Sequence, residues 1–309
     1  MRQSGAYFFN TLILRMQNMC TDVTEHFKVF AEEQGADLTG IAPVGRFEDL
    51  PPEKNPLSIF PETETLIVIG KRITRGTLRG VEEGTQFGLY SMYGYNWLDN
   101  RFLATATYRI SEFLENNGYE AVPLLNLPPQ MGPLGIAVAD GRPAPNVLLD
   151  FDDAAVRAGL GEIDPAGFFI TPEFGTRQRF QIILTEAVLE PDPVPDALIC
   201  DFIEEYSRFC PLQAINTEHI QEVEICGKKM NIAEIDFSKC SNCKNGTVPN
   251  MYHPSGKPDR IAAACGRAVY NELEKRDKLL KRFRNPFRKR PSWNIADNRV
   301  YLEEGSEIE

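Results

Sequence analysis

Leu66-Ile67-Val68-Ile69-Gly70 is a short apolar run that predicts a buried β-strand. A helical pattern lies on either side of it. The upstream helix is expected to start at Asp22 and to end before Gly35, and three residues share its apolar face: Val23, Phe27 and Phe30. The downstream helix is expected from Leu98 to the stop signal Asn117-Gly118. Its apolar face comprises Phe102, Ala106, Ile110, Phe113 and Leu114.

The rest of the first 190 residues continues this alternation of helix and strand signals. Strands are predicted at Ala121–Leu125, Phe168–Ile170 and Phe180–Leu189, and a short helix is predicted at Ala154–Ala158. Mixed helices and strands with short connections indicate a layered α/β or α+β domain.

The clearest domain boundary is Pro191-Asp192-Pro193-Val194-Pro195. Three prolines in five residues can continue neither a strand nor a helix. A cysteine-bearing segment follows, and then a predicted helix from about Ile261 to Phe283. The sequence therefore predicts three parts: a first domain over residues 1–190, a second over 196–290 and a tail over 291–309.

Composition and charge narrow the class of protein. Of the 309 residues, 42% are hydrophobic and 25% are charged, as in an ordinary soluble chain, and the net charge of −11 argues against a surface that is basic overall. Lys275–Arg290 carries nine Lys or Arg and one acidic residue, and we interpret it as a solvated helix end that complements the acidic rest of the chain. The apolar stretch Phe8–Leu14 is too short to span a membrane. We therefore expect a cytoplasmic protein without membrane or nucleic-acid partners.

The cysteines are concentrated in the C-terminal third. Six of the seven lie between residues 200 and 265, and only Cys20 lies before them. Thiols that serve merely as small hydrophobic groups would be scattered along the chain. The clustering therefore favours a metal or redox function.

Cys210-Pro211 and Cys240-Ser241-Asn242-Cys243 match parts of the bacterial ferredoxin run C-x2-C-x2-C-x3-C-P. Both runs are eroded, because Ile203, Tyr206 and Gly246 stand where further cysteines belong, and this excludes two intact clusters. One site remains open, with ligands Cys210, Cys240, Cys243 and either Cys226 or Cys265, and we take Cys265 as the fourth. It could hold one [4Fe–4S] cluster or a structural zinc ion, or the thiols could pack without metal.

A second feature is Ala158-Gly159-Leu160-Gly161, followed by Thr171-Pro172-Glu173-Phe174-Gly175. Its glycines would let the backbone approach a bulky planar ligand closely. A helix end and a proline turn would give the same residues.

These segments, followed by Ile182–Pro191 and then by Cys200 and Cys210-Pro211, resemble in their order the epoxyqueuosine reductase and reductive dehalogenase superfamily. Gly35–Pro43 is similar to the N-terminal region of that superfamily. The resemblance implies an α+β fold, in which a nitroreductase-like domain of the vitamin B12-processing type binds cobalamin and a degenerate ferredoxin-like segment follows. It also implies an electron donor such as ferredoxin or flavodoxin. The residues that it places at the corrin are Gly159, Leu160, Gly161, Thr171, Pro172, Glu173 and Gly175.

The chain departs from the superfamily at the proton donor. Pro145 stands where epoxyqueuosine reductases carry an acid, and three nearby carboxylates are out of register: Asp150, Asp152 and Asp153. Reductive dehalogenases use a tyrosine, and the resemblance therefore makes the cluster of Tyr90, Tyr93 and Tyr95 a source of candidates, from which we nominate Tyr93 and Tyr95 as catalytic residues. The alternative for both is a packing role at the surface of the core.

The leading hypothesis is a corrinoid-dependent reductase, an oxidoreductase that acts on a small-molecule substrate in the manner of a reductive dehalogenase. A non-catalytic corrinoid-binding or delivery protein is one alternative, and a zinc-stapled interaction module is another. Both are motivated by the eroded cysteine runs, and the first also by the missing acid.

Overall fold

The structure, a computed structural model, describes residues 23–127, 134–200, 202, 206–250 and 256–302. The helices within these ranges are α1 (23–33), α2 (Arg79–Glu82), α3 (Ala104–Asn116), α4 (Phe151–Arg157), α5 (Tyr206–Phe209), α6 (Phe237–Ser241) and α7 (Ala264–Lys275). The strands are β1 (Leu38–Pro43), β2 (Thr65–Arg72), β3 (Ala121–Leu124), β4 (Glu162–Ile163), β5 (Phe169–Ile170), β6 (Gln178–Thr185), β7 (Ile215–Ile225), β8 (Lys228–Ile235), β9 (Trp293–Ala296) and β10 (Arg299–Leu302). The 3-10 turns are Val44–Phe47, Pro52–Lys54, Pro56–Ser58 and Arg75–Leu78, and the π-helical segments Tyr90–Asn96 and Leu98–Leu103 lead into α3.

An antiparallel sheet in the order β1-β2-β6-β3 is the centre of the fold. The predicted strand at Leu66–Ile69 is confirmed as the middle of β2, which is buried from Thr65 to Gly70. Ile67 is paired with Ile41 on one side and with Ile183 on the other. The continuous apolar run Leu66–Ile69 suits this place, because both faces of the strand are covered there.

Helices cover the two faces of this sheet. Ile67 packs in one hydrophobic cluster with Phe27 of α1 and Ile110 of α3. Val68 points to the opposite face, since side chains alternate along a strand, and packs in a second cluster with Val156 of α4. The expectation of a layered, mixed helix-and-sheet fold is confirmed at this level. The nitroreductase-like and ferredoxin-like assignments stay predictions.

The C-terminal segment packs against the first part of the chain through a third hydrophobic cluster. That cluster joins Leu78 and Phe168, before the proline segment, to Tyr206 and Val269, after it. The β7–β8 hairpin, which no sequence pattern predicted, turns at Cys226-Gly227 with positive φ at both residues. The division into three parts stays a prediction, and the hydrophobic core is continuous across the proposed boundary.

Two predicted helices differ from the structure. The helix expected over Ile261–Phe283 is the shorter α7, because the backbone turns left-handed at Asp277 (φ 58°). The basic run therefore lies mostly beyond the helix, and its cations contact the last residue of α2 and the residue after it: Arg288 lies 2.9 Å from Glu82 and Arg290 lies 2.8 Å from Glu83.

The helix expected from Leu98 begins instead as a π-helix, which changes the angular spacing of its first turns. Phe102, assigned to the apolar face, is consequently 45% exposed. Among the described residues no helix is long and apolar enough to cross a membrane. Phe8–Leu14 and Cys20 lie outside those residues.

Candidate functional site

A polar cavity lies where β6 meets the start of α4 and the loop before α7. The carboxylates that line it are Asp99, Asp150, Asp152 and Asp259, and the cations are Arg179, Lys257 and Arg260. Phe151, Phe168 and Phe180 form apolar parts of its wall. A few charged groups in a partly apolar cleft are typical of a binding or catalytic site.

Arg179, on β6, is the centre of the hydrogen bonds in this cavity. Its Nη2 forms an ion pair with Asp259 Oδ2 and also lies 3.1 Å from the Tyr90 hydroxyl, which donates to the same carboxylate oxygen over 2.8 Å. Its Nε donates to the carbonyl oxygen of Gly94 over 2.7 Å. The side chains of the ion pair are only 11% and 2% exposed, so this arrangement fixes a cation in a low-dielectric wall.

Two carboxyl groups of the cavity titrate close to neutral pH. Burial raises the pKa of Asp99 to about 6, against the opposing charge of Arg179. Burial and the neighbouring Asp150 raise the pKa of Asp152 to about 7, although Lys257 and Arg179 act in the opposite direction. Such groups can hold a proton near pH 7 and release it to a reacting atom.

A second, smaller cavity brings four cysteines together. Cys210 follows α5, Cys240 lies in α6, Cys243 follows α6 and Cys265 lies in α7, and all four line it. Cys243 is half-buried and the other three are buried. These are the four residues proposed as metal ligands from the sequence.

The remaining described cysteines lie elsewhere. Cys226, the alternative fourth ligand, is exposed at the β7–β8 turn, and its sulfur lies 3.7 Å from the carbonyl oxygen of Arg46. Cys200 is buried with its sulfur 3.1 Å from the Tyr206 hydroxyl, and burial raises its thiol pKa to about 12. Of the two sets left open by the sequence, the structure brings together the one that contains Cys265.

The two candidate metal groups require different spacings of their ligand sulfurs. Zinc holds sulfur at about 2.3 Å in a tetrahedron, so its ligand sulfurs lie only about 3.8 Å apart. A [4Fe–4S] cluster stands between its thiolates and keeps them further apart. Within the described part of the chain, no group of three or more Cys, His, Asp or Glu side chains is arranged to hold a metal ion. The choice between a cluster and zinc for the four-cysteine cavity stays a prediction.

Arg260 is the residue that lines both cavities. Its Nη2 donates to the carbonyl oxygen of Ala166 over 2.6 Å, and its guanidinium lies 4.5 Å and 5.2 Å from the ring centroids of Phe168 and Phe237. Its Nη1 is buried without a hydrogen-bond partner among the described residues. Its positive charge lowers the thiol pKa of Cys240 and of Cys265, although burial raises both, that of Cys265 to about 12.

Comparison with known proteins finds similarity to reductases. No family model matches it. Its sequence is 32% identical over 176 residues to a tetrachloroethene reductive dehalogenase of Desulfitobacterium hafniense, and the alignment covers 56% of this chain and 28% of that one. Its fold is similar to a solved reductive dehalogenase described as B12-dependent, with a TM-score of 0.52 and 17% identity over 92% of this chain and 40% of that chain. The resemblance to the reductive dehalogenase and epoxyqueuosine reductase superfamily that was predicted from the sequence is confirmed.

The match to the superfamily is partial in length. A solved epoxyqueuosine reductase with a bound tRNA stem loop aligns with a TM-score of 0.44 and 16% identity, over 62% of this chain and 52% of that chain. The chain spans less than half the length of the reductive dehalogenases reported above. The activity of those whole proteins is therefore a matter for proposal here.

The glycine segment that the superfamily resemblance places at the corrin is packed against the chain itself. A Cβ on Gly159 would lie 2.1 Å from the carbonyl oxygen of Pro193, and a Cβ on Gly161 would lie 2.0 Å from that of Ile170. Leu160 lies against Gly40 of β1. The close approaches are thus made by the protein's own backbone, which is the alternative role that the sequence left open for these glycines.

The second half of that segment is a tight turn outside both cavities. Thr171 accepts a hydrogen bond from the Phe174 amide over 3.1 Å, and Pro172 accepts one from the Leu280 amide over 2.8 Å. A Cβ on Gly175 would lie 3.3 Å from the side chains of α7, and Glu173 is half-buried. None of the residues predicted to contact the corrin lines the polar cavity or the cysteine cavity. Their contact with a corrin stays a prediction.

The two predicted catalytic tyrosines have different surroundings. Tyr95 is buried, with its hydroxyl 2.8 Å from Asn250 Oδ1 and its ring 4.7 Å from the guanidinium of Arg179. Tyr93 is 47% exposed and lines a separate surface cavity with Lys71. The structure therefore places Tyr95, and not Tyr93, against two residues that line the polar cavity, Asn250 and Arg179.

Sequence reasoning missed Arg179 and Asp259, and it named Tyr90 only as one member of the tyrosine cluster. These residues are far apart along the chain, and no local spacing connects them. The available signal was an arginine just before the apolar run of β6, since a buried arginine requires a partner.

Proposed function

We propose that this chain is the reductase domain of a corrinoid-dependent enzyme, with one [4Fe–4S] cluster bound by Cys210, Cys240, Cys243 and Cys265. A corrinoid and a small-molecule substrate would occupy the polar cavity. The observation that carries the proposal is that the two cavities share a wall at Arg260. Electron transfer requires a donor centre beside the acceptor, and this arrangement supplies one.

The residues of the cavity suit a corrinoid, whose rim carries amide groups. Asn126 and Asn250 line the cavity, and carboxamides both donate and accept hydrogen bonds. The B12-dependent relative supports this choice of cofactor. A bound corrinoid would supply a reducible cobalt ion, which none of the side chains can replace.

The charged groups of the cavity would serve a reductive bond cleavage. Replacing a carbon–halogen bond by carbon–hydrogen consumes two electrons and one proton and releases a halide ion. Asp152, with its pKa near 7, is placed to deliver the proton. Arg179 and Lys257 are placed to stabilise the anion that leaves. The electrons would come from a low-potential carrier such as ferredoxin or flavodoxin.

Anaerobic production, followed by reconstitution with iron, sulfide and cobalamin, tests the proposal. We expect about four irons per chain, as Cys₄ ligation of a [4Fe–4S] cluster requires, and cobalamin that stays with the protein on a desalting column. The reduced protein should then release halide from a chlorinated or brominated substrate.

Three other outcomes would change the assignment. Stoichiometric zinc without iron would favour the zinc-stapled interaction module over the reductase. Cobalamin that separates from the protein would contradict corrinoid binding. Retained cobalamin in a protein that releases no halide would favour the non-catalytic corrinoid-binding protein.

A further inference from the structure

The cysteine cavity contains a buried cation that has no direct ion-pair partner among the described residues. Arg260 is only 5% exposed, and its charge acts on the buried Asp164 without forming an ion pair with it. Asp259, the adjacent residue, is already bound to Arg179. An uncompensated charge in a protein interior is costly unless an opposite charge faces it.

The partners of Arg260 leave one part of its guanidinium free. Nη2 is used by the Ala166 carbonyl, and the rings of Phe168 and Phe237 lie within cation–π distance of the guanidinium. These contacts limit its movement. Nη1 is buried and lacks a hydrogen-bond acceptor among the described residues. A buried donor of this kind normally has an acceptor in the functional state.

Four cysteines line the same cavity, and their ligated form is anionic. A [4Fe–4S] cluster with four thiolates carries a net negative charge, and its sulfides accept hydrogen bonds. Both properties match what Arg260 lacks among the described residues, namely a direct ion-pair partner and an acceptor for Nη1.

We propose that Arg260 is a positioning residue that donates a hydrogen bond from Nη1 to the cluster and raises its reduction potential. This inference rests on the proposed function, since it requires the cluster. Reduction adds one negative charge to the cluster, and a fixed cation beside it stabilises the reduced form more than the oxidised form. Because Arg260 also lines the polar cavity, it sets the driving force for electron transfer to whatever that cavity binds.

A redox titration of the reconstituted protein, followed by electron paramagnetic resonance, tests this role. In Arg260→Gln we expect the one-electron equilibrium to move at least about tenfold toward the oxidised cluster, which is about 59 mV more negative. Arg260→Lys keeps the positive charge but loses the planar guanidinium group. The reduction potential of its cluster should therefore lie between those of Arg260→Gln and the unaltered protein.

Arg177→Gln is the matched control. Arg177 is also buried, its Nε also lacks a hydrogen-bond partner among the described residues, and it lines neither cavity. Its replacement should leave the potential unchanged, and a urea unfolding curve of each variant reports any general loss of structure.

The outcomes distinguish the two proposals. Unaltered protein that assembles no cluster overturns the proposed function and this inference together. A normal cluster whose potential is the same in Arg260→Gln overturns this inference alone. If Arg260→Gln does not fold, Arg260→Lys decides, and a potential equal to that of the unaltered protein overturns the hydrogen-bond role.

Discussion

Gly161→Ala should destabilise the fold whether or not a corrinoid is present. The new Cβ would lie 2.0 Å from the carbonyl oxygen of Ile170 and 3.0 Å from the ring of Phe169, so β4 and β5 would have to separate. Overpacking costs about 1–3 kcal/mol, and each hydrogen bond lost between these strands costs about 1 kcal/mol more. We expect the free energy of unfolding to fall by about 2–4 kcal/mol in equilibrium urea unfolding followed by circular dichroism.

Gly118→Ala is the control, because it separates backbone strain from close packing. Gly118 has φ of 88°, and a Cβ added there would meet nothing within 4 Å, so only the left-handed conformation opposes a side chain at this position. That cost is about 1 kcal/mol. If Gly161→Ala unfolds at the urea concentration of the unaltered protein and loses only its affinity for cobalamin, the packing explanation is wrong and the glycine serves the ligand.

Three further predictions concern the two cavities. Cys243→Ser should lower the iron content after reconstitution, whereas Cys226→Ser, at an exposed turn, should leave it unchanged; equal iron in both variants would reject the ligand set. Tyr90→Phe removes the hydroxyl that bonds to Asp259 and should lower the free energy of unfolding by about 1–2 kcal/mol, as a urea curve would measure. The pKa of Asp152 is raised from 3.8 to about 7, so the folded state holds its proton more tightly and stability falls as pH rises from about 4 to 7. Between pH 4 and pH 8 the free energy of unfolding of Asp152→Asn should therefore rise by about 1–2 kcal/mol relative to that of the unaltered protein, a value reduced for solvent screening of the half-buried Asp152. An equal difference between the two proteins at both pH values would contradict the pKa shift.

The sequence was most informative for buried strands, because burial favours a continuous apolar run. β2 and β6 are covered on both faces, and each contains a continuous apolar run, Leu66–Ile69 and Ile182–Leu184, that made it recognisable. β7 was not predicted, because its residues from Glu218 to Glu222 are all exposed and polar apart from Ile220. The end of α7 was missed because it depends on one left-handed residue, Asp277, of a type that also occurs inside helices.

The cysteine cavity was easier to predict than the polar cavity, because its residues are of a rarer type. The cysteines could be grouped from composition, since six of seven thiols in one third of a chain is an uneven distribution. The choice between Cys226 and Cys265 as the fourth ligand required the fold, which places Cys226 at a distant turn. Carboxylates and arginines are common everywhere on a surface, so the pairing of Arg179 with Asp259 becomes visible only when β6 and the loop before α7 are brought together.

The residues that replace cysteines in the first run have a structural role, and this affects how electrons could reach the proposed cluster. Tyr206 stands where the ferredoxin pattern has a thiolate, and it is fully buried, with its hydroxyl bonded to Asp164 over 2.9 Å. Cys200, from the same run, contacts that hydroxyl, and its raised pKa keeps it a neutral thiol. Both residues are therefore part of the hydrophobic core. Cys243 is the half-buried member of the proposed ligand set, so we expect an external carrier to deliver electrons there, while Arg260 lines both this cavity and the polar one. On this proposal one cluster would serve the whole route.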